Sequence, residues 1–222
     1  MLSQKSCPVR VIVQARMSSN RFPGKVLAPL WGEPVICHVI NAVKKAVPDL
    51  PIVVATSDDS SDDPLALFVR TIGINVFRGP LDDVFERFRQ CLNFYPSRWV
   101  LRINADSPLI DPRVIQSVVN RQEGDLVTTI FPRTFPRGSN TELIWNSAFL
   151  DIDKSKLTSA DKEHVTQYYY RNSEKFKIIN IESGNPNLAN LNMAVDTIDD
   201  LKRIDRASGF NFSIPAFEEV KV

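Results

Sequence analysis

Between residues 15 and 25 the chain reads ARMSSNRFPGK, immediately after the apolar run at 9–14. Arg16, Arg21 and Lys25 supply positive charge, Ser18 and Ser19 supply hydroxyls, and Gly24 lets backbone approach a ligand closely. The two guanidinium groups can grip phosphate oxygens in pairs, and the lysine acts as a point charge. Backbone around Ala15 lies at the same strand end. A solvated basic turn is the plain alternative. The position after a first strand, and the Pro-Gly-Lys ending, favour a polyphosphate grip. Neither GxxxxGK[ST] nor GxGxxG occurs, so recognition here rests on cationic side chains plus backbone amides.

Two carboxylates are expected at the same edge. Asp106 follows the strand-like RWVLRIN, and Asp196 follows Met193-Ala194-Val195. One or two carboxylates completed by phosphate and water suit Mg²⁺. Helix capping is the competing role for each, since Asp106 precedes Ser-Pro and Asp196-Thr197 precedes a helical pattern. Asp82 or Asp83 opens a further helix, where Asp83 is assigned to the nucleotide or to a cap, and Arg87 lies one turn on, facing the cleft or solvent. Farther along, Arg137 can bind an acceptor's carboxylate or phosphate. Glu142 and His164 can bond hydroxyls or act as a base. His38 sits among Ile36, Val39 and Ile40 and is expected to pack.

The elements that must position these groups alternate. Strands are expected at 9–15, 51–56, 74–77, 98–104 and 125–129, with helices at 34–47, 63–72, 81–94 and 112–121. That order predicts a parallel-rich α/β sheet, whose ligands bind at the carboxyl ends of the strands. The alternation breaks near residue 130. Loop and hairpin are expected to about 145, helices at 146–150, 159–170 and 196–208, strands at 176–182 and 192–195, and a mobile loop at 183–192. Residues 130–190 read as a lobe laid over the sheet edge, carrying a second substrate, a dimer contact or both.

Bulk composition narrows the partners. The chain has 222 residues, 43% hydrophobic and 24% charged, which suits one domain with a full core. A formal net charge of +1 gives no support to nucleic-acid or membrane-surface binding, so any anion site is local. The three cysteines, Cys7, Cys37 and Cys91, lack CxxC spacing and read as reduced thiols. The polar first seven residues carry no signal-peptide apolar region. No run of about 18 apolar residues occurs either, so a cytoplasmic protein is expected. With only two histidines, a His/Cys zinc site is not expected.

The ordered set ARMSSNRFPGKVL, ATSDD, FRGPLDDVFERF, RINADSPLIDP, PRGSNTEL, KEHVTQYYY and AVDTIDDL resembles the spore-coat-polysaccharide-F-like cytidylyltransferases, relatives of the CMP-Kdo and CMP-acylneuraminate synthetases. The resemblance runs from about residue 9 to 204. It implies a three-layer, Rossmann-like α/β nucleotidyltransferase fold with a mixed, mostly parallel sheet, acting as a homodimer. It implies transfer of CMP from CTP to a small acidic acceptor, with Mg²⁺ and release of pyrophosphate. By position it assigns Arg16, Ser18, Arg21 and Lys25 to the triphosphate, Asp106 and Asp196 to the metal, and Arg137, Glu142 and His164 to the neighbourhood of the acceptor. Ala105 and Ser107 depart mildly from the family pattern. Asn140, where relatives often carry Asp, puts the acceptor's identity in question. The competing functions are transfer from another nucleoside triphosphate, a metal-dependent glycosyltransferase, and a catalytically silent nucleotide-binding protein.

Overall fold

The computed structural model describes residues 7–207. Most of the polar N-terminal stretch and the expected last helical residue, Ser208, lie outside them. In chain order the elements are β1 (Cys7–Gln14), β2 (Pro29–Leu30), β3 (Glu33–Pro34), α1 (Val35–Ala46), β4 (Ile52–Ser57), α2 (Asp63–Thr71), β5 (Asn75–Gly79), α3 (Val84–Phe94), β6 (Ser97–Asn104), α4 (Pro112–Val119), β7 (Leu126–Thr128), β8 (Thr141–Trp145), α5 (Asn146–Leu150), α6 (Ser159–Glu163), α7 (Gln167–Arg171), β9 (Ile178–Asn180) and α8 (Ile198–Arg206).

Seven strands form one sheet in the order β5-β4-β1-β6-β8-β7-β9, and only β8 runs against its neighbours. The central strands are apolar on both faces, as a parallel strand covered on both sides must be. Val11 and Val13 of β1, Val54 of β4 and Leu101 and Ile103 of β6 pack toward α1, α2 and α4. Ile12, Val53 and Val100 point the other way, to Phe85, Phe88 and Leu92 of α3, Phe149 of α5 and Tyr169 of α7. This is the expected three-layer α/β architecture with a mixed, mostly parallel sheet. All three cysteines are free, and burial pushes the Cys91 thiol up to about 12.

Three local expectations change. The stretch expected as loop and hairpin ends in β8, which threads between β6 and β7 with Glu142 opposite Arg102. A buried Glu inside TELIW hides the apolar pattern, and its bonds from Arg102, Thr166 and Tyr170 let the strand sit there. The helix expected at 159–170 breaks at His164, which is extended at φ −115° and ψ 92°. The stretch at 183–192 is a largely exposed loop, as expected, anchored where Ser183 bonds Thr134 and Leu188 joins Val114 and Phe135. At 192–195 no strand forms. Asn192 makes a single bridge to Arg137 instead. Gly138 permits that approach, because at φ +93° a Cβ there would lie 2.7 Å from the Ala194 nitrogen.

β1 leads through α1 to β4 on one side, while its neighbour β6 leads through α4 to β7 on the other, so the connections from these two adjacent strands leave their carboxyl ends in opposite directions. The resulting crevice is where an open α/β sheet binds ligands.

Candidate active site

The basic loop closes on itself at the end of β1. The Gly24 amide donates to the Met17 carbonyl at 2.8 Å, and Gly24 takes φ +75°, a conformation side-chain-bearing residues avoid. The turn delivers Lys25 into the crevice. Its ammonium lies 2.6 Å from Asp106 Oδ2 and 3.1 Å from Asp196 Oδ1. Arg21 reaches the same Asp196 oxygen at 2.9 Å, and Arg16 pairs with Glu163 at 2.7 Å. The two strand-end segments are tied together, because the Val195 amide donates to the Asp106 carbonyl.

Capping does not account for either carboxylate. Thr197 caps α8 in a reciprocal box with Asp200, and Asp111 caps α4, which leaves Asp196 and Asp106 to the crevice. Both acids are about three-quarters buried and share one ammonium, so their oxygens converge on a single cation position. That convergence fits a divalent ion completed by phosphate and water. Among the described residues no three His, Cys, Asp or Glu side chains converge, so the protein alone does not build a closed metal cage.

These groups line a cavity of about 340 Å³ with Gln14, Ala15, Ser19, Asn20, Arg102, Asn104 and His164. A family model described as cytidylyltransferase matches residues 10–206. The chain belongs to the cytidylyltransferase family. It is therefore a nucleotidyltransferase enzyme. It is 29% identical to the spore coat polysaccharide biosynthesis protein SpsF of Bacillus subtilis, over 78% of this chain and 74% of that one. Its structure resembles a cytidylyltransferase from Leptospira borgpetersenii, with TM-score 0.85 and 26% identity over 94% and 89% of the two chains. A CMP:2-keto-3-deoxy-manno-octonic acid synthetase complexed with CTP shares the fold at TM-score 0.68 and 17% identity, covering 90% of this chain and 97% of that one.

The cytidylyltransferase brings Ala15, Arg16, Arg21, Lys25, Asp106, Asp196 and His164 to one cavity. It places the other expected residues elsewhere. The Ser18 hydroxyl is buried off the cavity wall, and Ser19 and Asn20 take its place there. Asp83 caps α3 by accepting from the Glu86 amide at 2.8 Å. Arg87 is fully buried behind the loop and donates to the Pro80 carbonyl. Arg137 is exposed and held through its backbone, between Leu191 and Met193. Glu142 is buried, with Arg102, Thr166 and Tyr170 all donating to it. Burial and the Glu142 carboxylate push the Tyr170 phenol well above its usual range, so it stays protonated as the donor.

Arg102 and Glu163 are the functional residues that pattern reading missed. Arg102 donates twice to Gln14 Oε1, at 3.0 and 3.1 Å, and once to Glu142, which fixes its guanidinium at the cavity floor. A charged residue inside the apolar run RWVLRIN was the available signal, since burial there demands a partner. Glu163 directly precedes His164, and nothing in its spacing points to Arg16.

Proposed function

We propose that this cytidylyltransferase transfers CMP from CTP to an acidic sugar or related acid, releasing pyrophosphate, for surface polysaccharide or glycoconjugate synthesis. The observation that carries the reading is Lys25 shared by Asp106 and Asp196 inside the basic loop. Lys25, Arg16 and Arg21 are each neutralised by an acid, and Arg102 by Glu142. A triphosphate thus enters a site near neutrality and has to bring compensating charge with it. Mg²⁺ is the cation that suits hard oxygen donors and phosphates, and Asp106 and Asp196 are the residues to hold it. When bound, it neutralises charge developing on the transferred phosphoryl group.

In this reading an acceptor oxygen attacks the α-phosphorus in line. A bond forms from that oxygen to phosphorus, the bond from phosphorus to the α–β bridging oxygen breaks, the acceptor hydroxyl's proton passes to water, and pyrophosphate departs. Arg16, Arg21 and Lys25 exchange their carboxylate partners for phosphate oxygens and stabilise the leaving group. Positioning and electrostatics supply most of the rate in such transfers. His164, which lines the cavity, faces the acceptor. CTP as donor and an acidic sugar as acceptor are supported by the fold shared with the CTP-bound synthetase. The polysaccharide role is supported by the likeness to the spore coat protein.

We assign the protein to the cytoplasm; separately, among the described residues no helix is long and apolar enough to cross a membrane. We assign 130–190 to acceptor binding and homodimer contact within a single domain, with Phe131 and Trp145 as its exposed large apolar side chains. Pyrophosphate release with Mg²⁺ tests the reading, comparing CTP with UTP, ATP and GTP across a panel of acidic sugars and sugar phosphates. Release with CTP and one acidic acceptor supports it. Release with another triphosphate reassigns the donor, and release with none removes the activity. Sedimentation checks the dimer.

A further inference from the structure

Asp62 has no place in the chemistry described above, yet it is fully buried and saturated with donors. One oxygen, Oδ1, accepts from the Met17 amide at 2.6 Å. The other, Oδ2, accepts from the Thr56 hydroxyl at 2.8 Å and from the Ser57 amide at 2.8 Å, and also from the Ser57 hydroxyl. Those donors belong to two elements far apart in sequence. Thr56 and Ser57 end β4, whereas Met17 sits in the basic loop between Arg16 and Ser18. Asp62 does not cap α2 with its side chain, so helix capping does not explain it. A buried carboxylate left without such partners is costly, and so is its replacement by an apolar group beside two backbone amides.

A second buried charge stands near it. Arg87 is fully buried, its Nε and Nη2 have no partner, and Asp62 is the first of the charges that support its ionised form against burial. The loop is thus held from behind by an anion fixed to the sheet, with a buried cation near it. Met17 is also the residue whose carbonyl closes the loop onto Gly24. Fixing its amide fixes both flanks of the loop, Arg16 on one side and the turn that delivers Lys25 on the other.

We propose that Asp62 is a positioning residue for the triphosphate loop. It touches no substrate, and it sets the loop in its phosphate-binding shape before nucleotide arrives. The inference rests on the reading of that loop as a triphosphate grip.

Asp62→Asn is the discriminating variant. An amide has one acceptor and one donor end, so it cannot accept from both the Met17 and the Ser57 backbone amides, and one tether is lost whichever way the side chain turns. Equilibrium titrations with CTP and with CMP, Mg²⁺ present, read the consequence. Wild-type protein is expected to bind CTP more tightly than CMP. In Asp62→Asn, CTP affinity and kcat/KM for CTP are expected to fall about tenfold or more, the scale of a lost bond to a charged group. CMP affinity, which does not draw on the β- and γ-phosphates, is expected to stay within about twofold.

Wild-type protein that fails to prefer CTP to CMP overturns the reading of the loop. A wild-type preference that survives intact in folded Asp62→Asn overturns the positioning role. Equal loss of CTP and CMP binding, tracking a lower melting temperature, also overturns it, because that marks general damage. Amide exchange in wild-type protein provides a check that needs no variant. The Met17 amide is expected to be protected far beyond the free-peptide rate, and exchange at the free-peptide rate removes the tether and the proposal with it.

Discussion

Two ion-pair clusters stand at the carboxyl edge of the sheet, and they are built for different ends. In the Lys25–Asp106–Asp196 cluster every carboxylate keeps some exposure, and one ammonium is shared between two acids at 2.6 and 3.1 Å. In the Arg102–Glu142 cluster the carboxylate is 1% exposed and Arg102, Thr166 and Tyr170 donate to it. Partly solvated pairs are worth little, so their members can change partners when a ligand offers better ones. A saturated buried pair contributes little net stability, but losing one member leaves an uncompensated charge. The first cluster can therefore take part in binding, and the second can hold a strand and a guanidinium in place. Residues of the same type thus do opposite work according to exposure and the number of bonds.

The largest expected effect breaks the first cluster. Lys25→Ala should lower kcat/KM about a thousandfold, the scale of removing one preorganised charge stabiliser, with a melting temperature close to wild type. Steady-state pyrophosphate release and a thermal melt check both halves. The second cluster should respond in the reverse sense. Glu142→Leu leaves Arg102 buried without a charge partner and should cost about 3–5 kcal/mol of stability, or roughly 10 °C in Tm for a chain of this size. Its acceptor KM should change less than tenfold. A large rise in that KM with little loss of Tm would instead put Glu142 in contact with the acceptor.

Much of this architecture was legible beforehand. Continuous apolar runs alternating with amphipathic helices give the sheet through β7, and the loop at 15–25 carries its chemistry in its own composition. What was hidden depends on contacts between distant residues. Glu142 reads as a break in a strand until Arg102 is seen opposite it. The break at His164 accompanies the turn of Val165 into the core cluster of Phe85 and Phe88, which local spacing does not reveal. The capping ambiguity at Asp196 is resolved only by Thr197 taking the cap. Arg87 and Asp83 had the right residue types at a plausible edge, but helix phase turns Arg87 into the core, and the chain end turns Asp83 to a backbone amide.

Smaller effects sharpen the contrast. Asp161 and Asp200 close capping boxes on α6 and α8. Burial works to raise each carboxyl, but Arg171 and Thr158 for Asp161, and Thr197 and Arg203 for Asp200, outweigh it and hold both below the ordinary 3.8. Their stabilisation is complete above about pH 4 and is lost as pH falls through the lower folded-state values. Denaturant titrations at pH 7 and pH 3 should therefore differ, and Asp161→Asn should narrow the difference, with about 1 kcal/mol lost at pH 7. Smallest is Glu163→Gln, which frees Arg16 from a partly exposed pair and should lower the KM for CTP about two- to threefold. An unchanged KM would mean that Arg16 does not meet the triphosphate.

In the proposed function Asp106 and Asp196 together hold the cation that accompanies the triphosphate. The most direct measurement is the Mg²⁺ dependence of pyrophosphate release from CTP in wild-type protein, Asp106→Asn and Asp196→Asn. No release is expected without a divalent ion, and both variants should show a large fall in turnover with saturation moved to higher Mg²⁺. Wild-type turnover that ignores Mg²⁺, or variants that saturate at the same Mg²⁺ concentration with unchanged turnover, would contradict it.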